Sequence, residues 1–369
     1  MKKIHFLFLL LLYAAAVVYL AATTPITPHE AKIYFTSHDI VSTLMHWGER
    51  LFASMPALKM FGLRLFFILF GFASVLLFYK LSRDYFSRSK DAMLATVIFM
   101  LLPGIVTGMT LANVSIIVLT LVLLFVLLYE HRSKRYELLL PLIMLALFFI
   151  HEASLIFYVA LMLYAWRYRD KKLFILSAAF VLVSLYLSKG IEIGGRPSGH
   201  FLEVFGLYAT VFSPLLFLYF FYAMYRILLR EEKNLVWYIS FTALAFSLLL
   251  SLRQKVYITD FAPYVMISVI LMLNTLNHSV RVRLPQFQKW YRIGFYVVMV
   301  TLLLTFAMIV FHRPLFYLLK DPSRHFAYRI YKPYFMAQHL KEKGIGCYDD
   351  ASSREIYTLR YYGIRECAH

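Results

Sequence analysis

Apolar residues in this chain come in long, nearly unbroken runs. They show neither the alternation of a surface strand nor the one-sided stripe of a soluble helix. Runs near 4–22, 63–80, 92–108, 112–129, 138–150, 153–166, 173–188, 206–229, 235–252, 262–277 and 293–311 meet or approach the roughly 20 helical residues that cross a hydrocarbon core about 30 Å thick. In lipid each backbone N–H and C=O must be satisfied within its own element, so runs of this length predict helices. The pattern predicts an all-α polytopic membrane protein with about 11 transmembrane helices. The 138–150 run is short and fits a re-entrant segment as well as a span, so counts of about nine to twelve suit the pattern. No internal repeat or low-complexity segment interrupts it.

Two connections stand out. The first, 23–62, is too long for a simple connector. Within it Ile33, Ile40, Leu44, Trp47 and Leu51 recur mainly three, four or seven apart, which predicts an amphipathic helix on the membrane surface. Pro25 and Pro28 break the chain just after the first span and deliver His29 and Glu30 to the membrane edge. The second is the tail from 312 to 369, broken by Pro314, Pro322 and Pro333. It reads as a helix over 334–343 stopped by Gly344, a strand over 345–348, a helix over 352–362 and a strand over 364–367. The expected organisation is a multi-span domain, 1–311, with a large first extracytoplasmic loop and a small C-terminal extramembrane α/β appendage, 312–369.

Composition fits a membrane protein: 61% of residues are hydrophobic and 18% aromatic. The net charge of +18 changes the picture only through its placement. Lys2 and Lys3 precede the first run, and every second connection is basic: Lys80, Arg83, Arg88 and Lys90, then Arg132, Lys134 and Arg135, then Arg167, Arg169, Lys171 and Lys172. Arg226, Arg230 and Lys233 follow, then Arg281, Arg283, Lys289 and Arg292. This alternation obeys the positive-inside rule and puts the N-terminus in the cytoplasm and the C-terminus outside. The basicity is a topology signal and gives no reason to invoke nucleic acid. The first apolar stretch, Ile4 to Leu20, exceeds the 7–15 residues of a signal-peptide core and predicts an uncleaved span. The two cysteines, Cys347 and Cys367, fall in the outward tail, where an oxidising compartment favours a disulfide.

With this orientation the outward segments hold most residues of chemical interest. His29, Glu30, His38, Asp39, His46 and Glu49 lie in the first loop, and Asn113 follows the next outward turn. His151 and Glu152 form another turn, Arg196 and His200 sit in a Gly-rich loop, and Arg253, Lys255, Tyr257 and Asp260 occupy the last loop. Glu30 in water-poor surroundings is a candidate general base, helped by His29, with Asp39 a further candidate. Arg253 and Lys255 are candidates for holding an anionic head group, although snorkelling explains them equally well. The Gly-rich loop lacks P-loop spacing. No H-E-x-x-H or paired-Cys motif is present. No cofactor is assigned, and a divalent metal held by His29, Glu30, His38, Asp39 and His46 stays open.

The order of short motifs resembles a known family. Pro28-His29-Glu30-Ala31-Lys32-Ile33-Tyr34 follows the first span, and Arg64 opens the second. Leu77-Phe78-Tyr79-Lys80-Leu81-Ser82-Arg83-Asp84-Tyr85-Phe86 comes next, and Leu102-Pro103-Gly104 closes the third. The arrangement resembles GT-C membrane glycosyltransferases, notably bacterial relatives of the protein O-mannosyltransferases and the lipid A aminoarabinose transferase. Ser251-Leu252-Arg253-Gln254-Lys255-Val256-Tyr257-Ile258-Thr259-Asp260-Phe261-Ala262-Pro263 is similar to the family's late Arg/Lys-x-x-Tyr-x-x-Pro stretch. The resemblance implies a GT-C-like fold in a bacterial inner membrane. It also implies a polyprenyl-phosphate-linked sugar donor and a lipid or glycan acceptor on the outer face. Asn113, His151, Glu152, Arg196, His200, Arg253, Lys255 and Tyr257 would then contact substrate.

The chain departs from the family at three places. His29 stands where the family carries its catalytic Asp, Asn113 where relatives often carry a second Asp, and His151 where relatives often carry a phosphate-binding Lys. Asn cannot take a proton, whereas His can near neutral pH. A polymerase or ligase of lipid-linked glycans, a flippase or transporter, and a non-catalytic GT-C-fold protein remain alternatives. Charges held at span ends rather than at the bilayer midplane count against transport.

Overall fold

The computed structural model describes residues 3–131, 138–187, 200–319, 321–348, 352 and 355–367. In chain order the helices are α1 (Lys3–Thr23), α2 (Pro28–Thr36), α3 (Ile40–Leu51), α4 (Lys59–Tyr85), α5 (Ser89–Leu101), α6 (Pro103–Thr110) and α7 (Val114–Glu130). They continue as α8 (Leu139–Ile150), α9 (Ser154–Tyr168), α10 (Lys171–Tyr186), α11 (Phe201–Phe212), α12 (Pro214–Arg230) and α13 (Leu235–Ser251). The last six are α14 (Ala262–Met266), α15 (Val269–Arg281), α16 (Pro285–Val310), α17 (His312–Leu318), α18 (Tyr328–Glu342) and α19 (Glu355–Tyr361).

The chain is a helical polytopic membrane protein. Among the described residues three helices are long and apolar enough to cross a bilayer: Ile4–Thr23, Lys59–Tyr85 and Pro285–Val310. Two bent pairs, α5–α6 at 57° and α11–α12 at 108°, bring the number to five if each pair is one span. By length and composition this is fewer than the eleven runs in the sequence, because proline breaks several of them and others form shorter apolar helices. Pro103 forces Leu102 out of the helical region to ψ 128°. At the sharper bend Ser213, just before Pro214, sits at φ 83°, a strained conformation for a residue with a Cβ.

Internal contacts divide the chain into two units. One comprises Met1–Phe6, Phe70–Val106 and Val114–Phe306. Its interior is apolar and aromatic, with Phe78 stacked on Phe99 at 3.9 Å between ring centroids. Some of its buried hydroxyls pair across helices, as in Ser74 with Thr120 at 2.8 Å and Tyr208 with Ser247 at 2.7 Å, and others, such as Thr96 to the Ala92 carbonyl at 2.9 Å, return to their own helix, which offsets the cost of burying them.

The other unit comprises Leu7–Leu69, Thr107–Asn113 and Ala307–His369, so the first loop and the tail fold together. The surface helix expected across the loop is two helices, α2 and α3, separated by residues 37–39. α3 lies against the start of α4 at glycine: a Cβ on Gly48 would stand 2.1 Å from the Gly62 carbonyl oxygen. The tail helix α19 packs on α2. Tyr34 meets the Tyr361 ring edge-on at 5.6 Å, Arg360 lies 4.7 Å over Phe35, and the Tyr362 hydroxyl accepts from Ile26 N at 3.3 Å.

The two tail strands expected at 345–348 and 364–367 reduce to one isolated parallel bridge, Cys347 with Arg365, among the described residues. Gly344 and Gly363, at φ 70° and 88°, turn the chain out of α18 and α19 so soon that no ladder develops. Ala337, Leu340, Leu359 and Ile364 form a small core there, and Cys347 and Cys367 are joined as a disulfide.

Candidate active site

In the unit that holds the first loop, the site begins with a helix cap. Pro28 presets the first turn of α2, and Thr27 and Glu30 form a reciprocal capping box. The Thr27 hydroxyl accepts from Glu30 N at 3.1 Å, and Glu30 Oε2 accepts from Thr27 N at 2.8 Å. Arg64 then grips the same carboxylate, Nε donating to Oε1 at 2.9 Å and Nη2 to Oε2 at 2.8 Å. Its other donors reach the Ala21 and Thr24 carbonyls at 3.0 and 2.8 Å from Nη1, and the Pro25 carbonyl at 3.0 Å from Nη2. All five guanidinium N–H groups are thus used. Arg64 and Glu30 are both 0% exposed.

This geometry departs from the expectation that Glu30 takes the acceptor's proton. In this structure the carboxylate is sealed from solvent and held by a bidentate cation and a backbone amide. Glu30 instead ties the end of α1, the proline turn and the start of α2 to α4.

His29, one residue earlier, is exposed. The surrounding chain still desolvates its ring and lowers its pKa from 6.5, against a smaller raising influence from Glu30. Neutral imidazole is the form that accepts a proton. Asp39 caps the start of α3 through its backbone carbonyl, while its exposed side chain makes no cap hydrogen bond. Tyr34, His46 and Glu49 are held by partners within the loop and the start of α4. The Tyr34 hydroxyl donates to Glu49, Lys59 pairs with Glu49 at 2.8 Å, and the His46 ring lies 3.1 Å from the Tyr34 carbonyl. No group of three His, Cys, Asp or Glu residues that could hold a metal occurs among the described residues. Asn113 belongs to this unit and ends a left-handed turn at Ala112, its N–H donating to the Gly108 carbonyl at 3.2 Å.

In the other unit His151 closes α8 and Asp260 ends the short turn Ile258–Asp260. His151 Nε2 lies 3.6 Å from Asp260 Oδ1. Burial pushes the Asp260 carboxyl up to about 6, with Glu152 adding to the rise, and pushes His151 down to about 4. Nearby in sequence, Lys255 pairs with Glu203 at 3.2 Å, and His200 Nδ1 lies 2.9 Å from the same carboxylate. Lys255 is therefore already partnered. Arg253 and Tyr257 are exposed, and no side-chain partner holds the Arg253 guanidinium among the described residues. Arg196 lies outside the described residues.

No protein-family model matches this sequence, and no curated protein matches it. Solved structures do. ArnT from Cupriavidus metallidurans in the apo state superposes with a TM-score of 0.54 at 14% identity, over 98% of this chain and 75% of that one. ArnT bound to undecaprenyl phosphate superposes with a TM-score of 0.57 at the same identity and coverage. The chain has the fold of ArnT. ArnT is the lipid A aminoarabinose transferase of the GT-C class, the group that the order of motifs resembles.

Three residues that matter were given no role by sequence reasoning. Arg64 was visible only as a charge at the head of a span, and a fully buried arginine implies a partner. Glu203, two residues before Phe205 in an apolar stretch, carried the signal of a carboxylate at a span end. Asp260 lay in a loop already marked for Arg253 and Lys255, but nothing in its neighbours along the chain forecasts His151 beside it.

Proposed function

We propose that this protein is a GT-C-type glycosyltransferase that moves a sugar from a polyprenyl-phosphate carrier to an acceptor hydroxyl on the outer face of a bacterial inner membrane. The observation that supports this most is the likeness to ArnT along 98% of the chain, one of the two matching structures being bound to undecaprenyl phosphate. In such a transfer the acceptor oxygen forms a bond to the anomeric carbon and the bond from that carbon to the phosphate oxygen breaks. The electron pair leaves with the polyprenyl phosphate, and a base must take the acceptor's proton.

His29 suits that base, being exposed and held neutral by its surroundings. It occupies the position where the GT-C resemblance places an Asp. Glu30 and Arg64 fix the backbone under it. Asp39, exposed and uncapped, is the second candidate. In the other unit Arg253 would take the carrier phosphate, since a guanidinium without a protein partner can engage two phosphate oxygens. Lys255 would act through the Glu203 pair, and His151, Glu152, Asp260, Tyr257, His200 and Asn113 would contact sugar or acceptor.

The sealed state of Glu30 also suits a protein that binds the carrier without transferring sugar. Purified protein incubated with labelled undecaprenyl phosphate tests the carrier binding that both readings share, and product formation from a polyprenyl-phosphate sugar separates them. Wild type should bind it saturably, and Arg253→Ala should bind it about tenfold more weakly, the worth of one charge-assisted contact. No saturable binding by wild type would remove the proposal and the alternative together.

A further inference from the structure

We propose that the groove between α12, α15 and α16 holds a membrane phospholipid with an anionic head group, its acyl chain between the helices and its phosphate at Arg230 and Arg283. The groove has a volume of about 720 Å³ and an apolar lining that includes Leu218, Tyr222, Leu273, Leu276, Trp290 and Val298. A second cavity of about 400 Å³ shares Tyr222 with it and is lined by Arg226, Arg230, His278 and Arg283. An apolar slot and a basic pocket thus meet at Tyr222.

The cations are arranged for an external anion. Arg226 is oriented from within, its Nε 3.1 Å from Glu231 Oε1 and its Nη1 donating to the Ser279 hydroxyl. The guanidinium of Arg283 lies 3.8 Å over the Tyr291 ring, which fixes its position without neutralising it. Arg230 is exposed and has no side-chain partner among the described residues. Glu231 is accounted for by Arg226, so the net charge of the pocket is positive.

The occupant follows from this pairing. A soluble anion has no use for the apolar slot, and a neutral lipid has none for the arginines. All three arginines lie in connections that the positive-inside pattern places in the cytoplasm, where basic pockets between helices bind anionic head groups. Trp290, near the start of α16, is 73% exposed, and tryptophan is enriched at membrane–water interfaces. The slot also has spare room: an added Cβ at Gly294 would meet no atom within 4 Å. This inference does not rest on the proposed chemistry.

The test uses full-length protein in detergent and measures binding of phosphatidylglycerol and of phosphatidylcholine with the same acyl chains, by native mass spectrometry. Wild type should prefer phosphatidylglycerol by about tenfold or more, given two cations near the head group. Arg230→Gln with Arg283→Gln, both exposed positions, should abolish that preference and leave phosphatidylcholine binding unchanged. Gly294→Trp should reduce binding of both lipids by filling the slot. Glycerol 3-phosphate should not compete. Equal binding of the two lipids by wild type would overturn the proposal, as would full competition by glycerol 3-phosphate or unaltered lipid binding in Gly294→Trp.

Discussion

Replacing Arg64 with Met keeps most of the side chain's bulk and removes its charge and its five donors. In the structure this strands the Glu30 carboxylate, which is 0% exposed, with only Thr27 N for company. Removing one partner of a buried ion pair costs about 3–5 kcal/mol. The Ala21, Thr24 and Pro25 carbonyls also lose their donors, at about 1–3 kcal/mol for each group left unsatisfied. These terms overlap, because relaxation and proton uptake by Glu30 relieve part of each, so about 3–5 kcal/mol is the expected total. Glu30→Gln strands the guanidinium instead and should cost a similar amount. The double variant buries no net charge and should be destabilised by less than the sum of the singles, a coupling of about 1–3 kcal/mol. Intrinsic tryptophan fluorescence during heating in detergent reads this directly, and each single variant should melt about 5–10 °C below wild type. Melting of Arg64→Met within about 1 °C of wild type, or strictly additive effects in the double variant, would refute the claim that this pair holds the first loop in place.

Other substitutions test other joints. Gly48→Ala drives a methyl into the Gly62 carbonyl oxygen, 2.1 Å away, and should destabilise by about 1–3 kcal/mol. Gly206→Ala, where a Cβ meets nothing within 4 Å, should be neutral or stabilising by up to about 1 kcal/mol, and equal melting temperatures for the two variants would remove the close-packing argument. Cys347 and Cys367, joined across a separation of 20 residues, should resist alkylation until reduced. Loss of the link should weaken the tail by about 3 kcal/mol in the chain-entropy account, read as faster proteolysis after α18. The Asp260 carboxyl, raised from 3.8 to about 6, holds its proton more tightly in the folded state than in the unfolded chain. Its contribution to stability therefore falls as pH rises through that window. An infrared carboxyl band titrating near 6 and missing in Asp260→Asn would show this, whereas titration near 4 would contradict it.

Helix type and the long first loop were legible in the sequence because apolar runs and prolines act locally. Pro25 and Pro28 announced a break after the first span, and the spacing of Ile33, Ile40, Leu44, Trp47 and Leu51 announced helix in the loop, though as one helix where the structure has α2 and α3. Span number was less legible, because a hydrophobic run does not reveal where Pro103 or Ser213 bends it. The tail strands failed for a related reason: 345–348 and 364–367 have strand-like composition, but pairing depends on geometry that Gly344, Gly363 and the disulfide impose. The candidate site was legible as a set of segments and not as a set of partners. His29 and Asp39 could be named from the loop, but that Arg64 would consume Glu30, Glu203 would hold Lys255, or Asp260 would lie beside His151 depended on contacts between residues far apart in sequence.

Sugar transfer by His29 variants tests the central claim most directly. With a polyprenyl-phosphate sugar as donor, product formation should be followed from pH 5 to 8 in wild type, His29→Ala and His29→Asp. Wild-type transfer should persist at pH 6.5 and decline only at lower pH, because desolvation lowers the histidine pKa from its ordinary 6.5 and keeps the neutral form dominant there. His29→Ala should lose about 10²–10⁴ of the rate, the usual worth of a general base, while melting close to wild type. His29→Asp should retain transfer and carry it to lower pH, since an aspartate titrates near 3.9. Undiminished transfer in His29→Ala at every pH would contradict the account and direct attention to Asp39.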